Sequence, residues 1–205
     1  MDGDSQSVRL VVGLGNPGRE YSLTRHNMGY RVVDELVWRW NAGAGRLAFG
    51  GRVFEARPQR GDASARVMLL QPHTYMNGSG TAVRELVGFY KVPLDNLLVV
   101  LDDLALGLGQ LRLRPDGSAG GQKGLAHVIE QLGSTKVPRL RVGIGAPPRG
   151  MDAVDYVLQM FAKAELETVE SAVRQAAAAV EHWLFEGIVP AMDKHNRKLD
   201  EPSSQ

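Results

Sequence analysis

Asn96 to Leu101 reads NLLVVL, and two acids, Asp102 and Asp103, follow it directly. A run this apolar at odd and even positions alike is not the half-wet strand of a two-layer protein, in which polar residues alternate with apolar ones. It fits a central strand covered on both faces, as in a parallel sheet with helices above and below. Its neighbours agree. Val8 to Val12 is a short apolar strand that runs into Gly13-Leu-Gly-Asn-Pro-Gly18, and Val67 to Gln71 and Arg139 to Gly145 read as further strands. Between them, Met28, Val32, Val33, Leu36, Val37 and Trp40 recur at helical spacing until Asn41-Ala-Gly43, and Val83, Leu86, Val87 and Tyr90 do so until Pro93. Lys123 to Leu132 and the Ala-rich Lys163 to Glu186 predict two more helices. Strands alternating with helices, without internal repeat or dividing linker, give a single three-layer α/β domain with a twisted, mostly parallel central sheet flanked by helices. We expect it to span 8–197, with a flexible N-terminus at 1–7 and a disordered tail at 198–205.

Several classes of chemistry drop out. With no cysteine in 205 residues, disulfides, thiolate metal sites and thiol nucleophiles are excluded together. No stretch approaches the roughly 20 apolar residues of a membrane span. The N-terminal MDGDSQS is acidic and polar where a signal peptide is basic and then apolar, so a cytoplasmic protein without a membrane partner is expected. Gly13, Gly15 and Gly18 satisfy the G-x-G-x-x-G pattern of dinucleotide-binding turns. Pro17, however, lacks the N–H a phosphate cradle uses, Glu20 to His26 does not read as a helix, and the acids about 20 residues on, Asp34 and Glu35, fall inside one. There is no G-x-S-x-G nucleophile elbow, since Ser79 has Asn77 and Thr81 at the flanking places, and no H-E-x-x-H. His73, His127, His182 and His195 have no comparable partners in sequence, and neither a metal nor a cofactor is expected.

What survives is a set of polar residues at strand exits. If the strand ends share one edge of the sheet, Asn16, His26, Asn77 and Asp102 gather in one crevice, the usual ligand site of open α/β sheets. A neutral imidazole can take a proton from water, a carboxylate can fix its tautomer, and carboxamides can donate to a carbonyl or oxyanion. Each residue also has a structural use: His26 near a helix start, Asn16 and Asn77 in turns, Asp102 as a cap.

The formal net charge of +1 hides an imbalance. Up to Gly150 there are 19 Lys/Arg against 13 Asp/Glu, and beyond it 5 against 10. From Arg112 to Arg149 seven basic residues face only Asp116 and Glu130, which suits a polyanion, because each phosphate neutralised releases counterions. The glycines of 112–121 mark that segment and the helix after it as a mobile edge.

The runs GLGNPG (13–18) with Tyr21, TRHNMG (24–29), TYMNGSG (74–80), LDDLALGLG (101–109), SAGGQKGL (118–125) and RLRVGIG (139–145) occur in one order, and the chain resembles bacterial-type peptidyl-tRNA hydrolase from about residue 8 to residue 197. The resemblance implies a cofactor-free, monomeric esterase that frees tRNA from prematurely released peptidyl-tRNA. By position, His26 would be the general base and Asp102 its orienting acid. Asn16 and Asn77 would bind the peptide backbone and the reacting carbonyl, with Tyr21 and Met76 lining the substrate groove. Arg112, Arg114, Arg139 and Arg141 would meet acceptor-stem phosphates. Two departures stand out: the family's G-G-H-N-G-L is here Gly120-Gly121-Gln122-Lys123-Gly124-Leu125, and its H-D-E-L-D is Leu101-Asp102-Asp103-Leu104-Ala105. Lys123 cannot accept a hydrogen bond as the usual Asn does, but its charge can meet phosphate or an oxyanion. The same fold serves plant organellar splicing factors, so a non-catalytic RNA-binding scaffold is the alternative; the absence of an Arg/Ser-rich transit segment favours the enzyme.

Overall fold

The computed structural model describes residues 7–196. The expected flexible N-terminus and tail lie outside them, apart from Ser7, whose hydroxyl accepts from Asn96 Nδ2 at 3.2 Å. In chain order the elements are β1 (Arg9–Gly13), α1 (Met28–Arg39), β2 (Arg46–Ala48), β3 (Gly51–Ala56), β4 (Gln59–Arg60), β5 (Ala63–Ser64), β6 (Val67–Pro72) and α2 (Ser79–Tyr90). They continue with β7 (Leu97–Asp103), β8 (Leu111–Arg114), α3 (Lys123–Leu132), β9 (Arg139–Gly143), α4 (Ala153–Val157), α5 (Leu166–Glu186) and α6 (Ile188–His195).

Seven strands form one sheet in the order β2-β3-β6-β1-β7-β9-β8, and β4 pairs with β5 in a separate ribbon. The central four, β6, β1, β7 and β9, are mutually parallel, so their C-terminal ends open on one edge. On the flanks β3 is antiparallel to β6, β2 to β3, and β8 to β9. The expected three layers follow from the pleat. Val11, Leu69, Leu98 and Val100 point to the side covered by α1, α5 and α6, where Trp183 is buried. Leu10, Val12, Met68, Leu70, Val99 and Leu101 point to the other side, against Val83, Leu86, Leu125 and Val128 of α2 and α3. Each such side chain contributes about 1.5–3 kcal/mol over exposure, which is why β7 carries no alternation.

The antiparallel flanks and α6 escape the sequence reading. In β8, Leu111 and Leu113 are buried while Arg112 and Arg114 face outward, an ordinary edge-strand alternation. The reading of 112–121 as loop throughout is therefore corrected: Arg112–Arg114 is sheet, and the carbonyls of Gly117 and Ser118 are held by the Arg139 guanidinium at 2.9 and 3.1 Å. The long C-terminal helix begins with a 3-10 turn, Lys163–Glu165, fixed by Ala162 N–H donating to Glu165 Oε2 at 2.7 Å, before α5 proper.

The glycine-rich turn serves packing. Arg19 to Leu23 is turn, and the next helix starts only at Met28, so no helix N-terminus faces a phosphate site after Gly18. Instead α1 crosses β1 backbone to backbone: a Cβ on Gly13 would lie 2.2 Å from Gly29 O.

Candidate active site

The loops after β6, β1 and β7 converge where the parallel strands end. Asn16 follows β1, Met76 and Asn77 lie in a 3-10 turn after β6, and Asp102 sits near the end of β7. His26 occupies the 3-10 turn Arg25–Asn27 ahead of α1, and Lys123 opens α3. All six line one cleft of about 480 Å³, closed on the far side by Val154, Val157 and Leu158 of the α4 segment. Tyr21 is not on the lining. It stands behind Tyr75, edge to face, with ring centroids 6.4 Å apart.

His26 Nδ1 lies 2.8 Å from Asp102 Oδ2, with side-chain exposures of 13% and 3%. A buried carboxylate must be paired, and here it accepts the Nδ1 proton, which leaves the Nε2 lone pair free of protein partners among the described residues. The other carboxylate oxygen, Oδ1, accepts from Gln122 Nε2 at 3.2 Å.

Asn16 is aimed by a neighbour. Asn27 Oδ1 accepts from Asn16 N and Asn27 Nδ2 donates to Asn16 O, both at 2.9 Å, as a strand partner would. Asn16 Oδ1 accepts from Met76 N at 2.9 Å, and because an N–H can only donate, Nδ2 is the end left for a ligand. Meeting that bond leaves Tyr75 with φ 55° and ψ 168°, a conformation that costs a non-glycine residue about 1–3 kcal/mol and occurs at ligand sites. Asn77 is exposed on the cleft lining. Sequence reasoning gave Asn27 and Tyr75 no role, although both lie within the quoted runs.

Arg25, next to the imidazole, is 6% exposed and stacks between the rings of Tyr156 (4.4 Å) and Phe161 (4.6 Å). It also grips both oxygens of Glu165 at 2.7 and 3.1 Å. That hydrogen bonding holds the Glu165 carboxyl below the usual range. Arg25 N–H donates to Gln159 O, and Thr24 bridges Met160, so the cleft's apolar wall is tied to the turn that carries His26.

On the basic surface the four arginines separate. Arg139 is 2% exposed and spends its guanidinium on the carbonyls of Val137, Gly117, Ser118 and Thr135, so the expectation that it meets phosphate is corrected: its donors are used inside the protein. Burial lowers its pKa. Arg141 Nε is paired with Asp103 Oδ2. Arg112 and Arg114 stay on the outer side of β8, and Lys123 is exposed at the cleft mouth; none of the three has a carboxylate partner among the described residues.

His182 and His195 meet elsewhere, 3.3 Å apart, with His182 Nε2 2.8 Å from Glu186 Oε2, and His182 lines a cleft of about 630 Å³ together with Gln59 and Arg60 of β4.

A family model described as peptidyl-tRNA hydrolase matches residues 10–203. The peptidyl-tRNA hydrolase of Carboxydothermus hydrogenoformans is 49% identical over 189 residues, covering 92% of this chain and 98% of its own. That of Rhodopirellula baltica is 46% identical, covering 92% and 97%. Among solved structures, the peptidyl-tRNA hydrolase of Acinetobacter baumannii superposes with a TM-score of 0.81 at 33% identity, covering 93% of this chain and 95% of that one.

Proposed function

The chain belongs to the peptidyl-tRNA hydrolase family, and from that membership we propose a mechanism in which His26 activates the water that cleaves the ester between peptide and tRNA. His26 Nε2 removes a proton from water while Asp102 holds the Nδ1–H tautomer and stabilises the imidazolium. The hydroxide adds to the ester carbonyl carbon, and the tetrahedral oxyanion takes hydrogen bonds from the carboxamides of Asn16 and Asn77. Collapse breaks the carbon–oxygen bond to the ribose, and the imidazolium returns its proton to the departing oxygen. The products are a peptide carboxylic acid, which ionises by releasing its proton to water, and a tRNA with a free hydroxyl. Met76 and the α4 wall, with Tyr75 at the rim and Tyr21 behind it, accept the peptide; Lys123 faces the terminal nucleotide.

The observation that carries this reading is the 2.8 Å contact between His26 Nδ1 and a buried Asp102, at the open ends of the parallel strands. Both members of the pair come from one chain, and the reading we propose is of a monomeric, metal-free enzyme of the cytoplasm. Its test is hydrolysis of N-acetylaminoacyl-tRNA, with free aminoacyl-tRNA as control and excess EDTA in parallel. Cleavage of the blocked substrate alone, unaffected by chelator, is the expected result. Loss of activity in EDTA that added metal restores would end the metal-free account, and a folded protein that binds tRNA but leaves the blocked substrate intact would be an RNA-binding scaffold.

Arg112 and Arg114 hold the acceptor stem through phosphate, and Arg141, tethered to Asp103, contributes at shorter reach. Arg112→Ala or Arg114→Ala should raise KM about three- to tenfold, leave kcat within about twofold, and flatten the dependence of KM on salt. Steady-state kinetics from about 50 to 200 mM salt measures all three quantities. A kcat loss at constant KM would move these arginines to the chemical site.

A further inference from the structure

Gln122 stands where the family's glycine run has histidine, and no role attaches to it so far. The residue is half-buried at the start of α3, and its carboxamide is used at both ends. Oε1 accepts from Leu125 N at 2.7 Å, capping the helix. Nε2 donates to Asp102 Oδ1 at 3.2 Å and lies 3.1 Å from Met76 Sδ. The orientation of the amide is not a free choice. Leu125 N–H can only donate, so the oxygen must face it, and the NH₂ group is left for a carboxylate that can only accept.

Asp102 is thereby held from two sides, by His26 on Oδ2 and by Gln122 on Oδ1. A carboxylate with one bonded oxygen can swing about its terminal torsion, which is a broad, soft degree of freedom. With both oxygens bonded, the plane of the carboxylate is fixed, and with it the line along which the imidazole presents Nε2. Gln122 also draws on a rigid support, because its other end is anchored in the first turn of a ten-residue helix.

We infer that Gln122 is a positioning residue for the hydrolysis: it locks the Asp102 carboxylate, and through it His26, while its cap seats α3 so that Lys123 enters the cleft. The inference rests on the reading of His26 as the base.

Three variants separate the cap from the lock. Gln122→Glu keeps an oxygen for Leu125 N–H but, ionised at about pH 8, has no proton to give Asp102. Gln122→Met keeps the length and loses both bonds. Gln122→His returns an N–H donor. With N-acetylaminoacyl-tRNA as substrate, kcat is expected to fall about tenfold in both Gln122→Glu and Gln122→Met, with KM within about twofold in Gln122→Glu and raised in Gln122→Met, whose lost cap also unseats Lys123 and lowers the melting temperature. Gln122→His should recover most of kcat. Wild-type kcat in a folded Gln122→Glu, or a kcat loss in Gln122→Met that disappears on assay well below its melting temperature, would reduce Gln122 to a helix cap. His26→Ala in the same assay keeps the two readings apart. If it is inactive while Gln122→Glu is fully active, only the positioning role fails; if it is active, the base assignment fails and the positioning role with it.

Discussion

His26→Ala is expected to lower kcat/KM on N-acetylaminoacyl-tRNA by about 10³-fold, within the range that a positioned general base supplies. The imidazole is the sole group in the cleft that both reaches Asp102 and leaves a basic nitrogen without a protein partner among the described residues. Truncation to alanine also leaves Asp102, 3% exposed, with Gln122 as its remaining side-chain donor, at a stability cost of about 1–3 kcal/mol. The variant should therefore melt earlier yet remain folded at assay temperature, and it should bind tRNA as the wild type does, since phosphate contacts lie elsewhere. Asp102→Asn is the informative companion. An amide nitrogen donating to Nδ1 would place the imidazole proton on Nε2, the wrong tautomer for taking a proton from water, so activity should fall with little change in shape. Single-turnover hydrolysis beside a filter-binding titration distinguishes chemistry from binding. Retention of more than about a tenth of wild-type kcat/KM by His26→Ala would show that another group is the base.

Gly29→Ala should damage the fold severely. The added Cβ would sit 2.4 Å from both Leu14 N and Val100 O and 2.5 Å from Leu14 O. These are backbone atoms, two of them joined in the 2.9 Å Leu14 N to Val100 O hydrogen bond, so no rotamer change relieves the clash. The N-terminus of α1 must lift off β1 and β7, opening space beside Met28, Val32 and Val33. We expect a loss of about 3 kcal/mol or more, which for a chain of this size lowers the melting temperature by about 6–12 °C. Because the turn bearing His26 runs directly into α1, kcat should drop as well. Calorimetry measures the first effect; a melting temperature within about 2 °C of wild type would mean the helix shifts freely there.

Residues covered on both faces announced themselves in sequence. Asn96 to Leu101 identified the central strand, and Met28 to Trp40 identified the helix that packs on it, because burial dictates the residue types. The flanking strands announced themselves poorly: β2 has three residues, and the alternation of β8 is carried by arginines that read first as a charge cluster. At the cleft, His26, Asp102, Asn16 and Asn77 could be assembled because strand exits share an edge. The roles of Asn27 and Gln122 could not, since each acts through a hydrogen bond to a residue distant in the chain, which no local pattern encodes. Arg139 shows the reverse problem. Its alternation with Arg141 looked like a phosphate-facing pair, but strand pairing brings the 117–118 carbonyls over it and consumes its charge in holding a loop.

The stack of Arg25 between Tyr156 and Phe161 has one more consequence. The turn that carries His26 and the apolar wall are thereby bound to each other, so the spacing between Nε2 and the Val154 to Leu158 side is set by contacts within the protein. On the proposed mechanism, a peptide lying along that wall would present its ester to the imidazole at the spacing these contacts set. Elsewhere on the cleft lining Tyr75 is held at φ 55°, a backbone conformation that local sterics disfavour and the surrounding contacts impose.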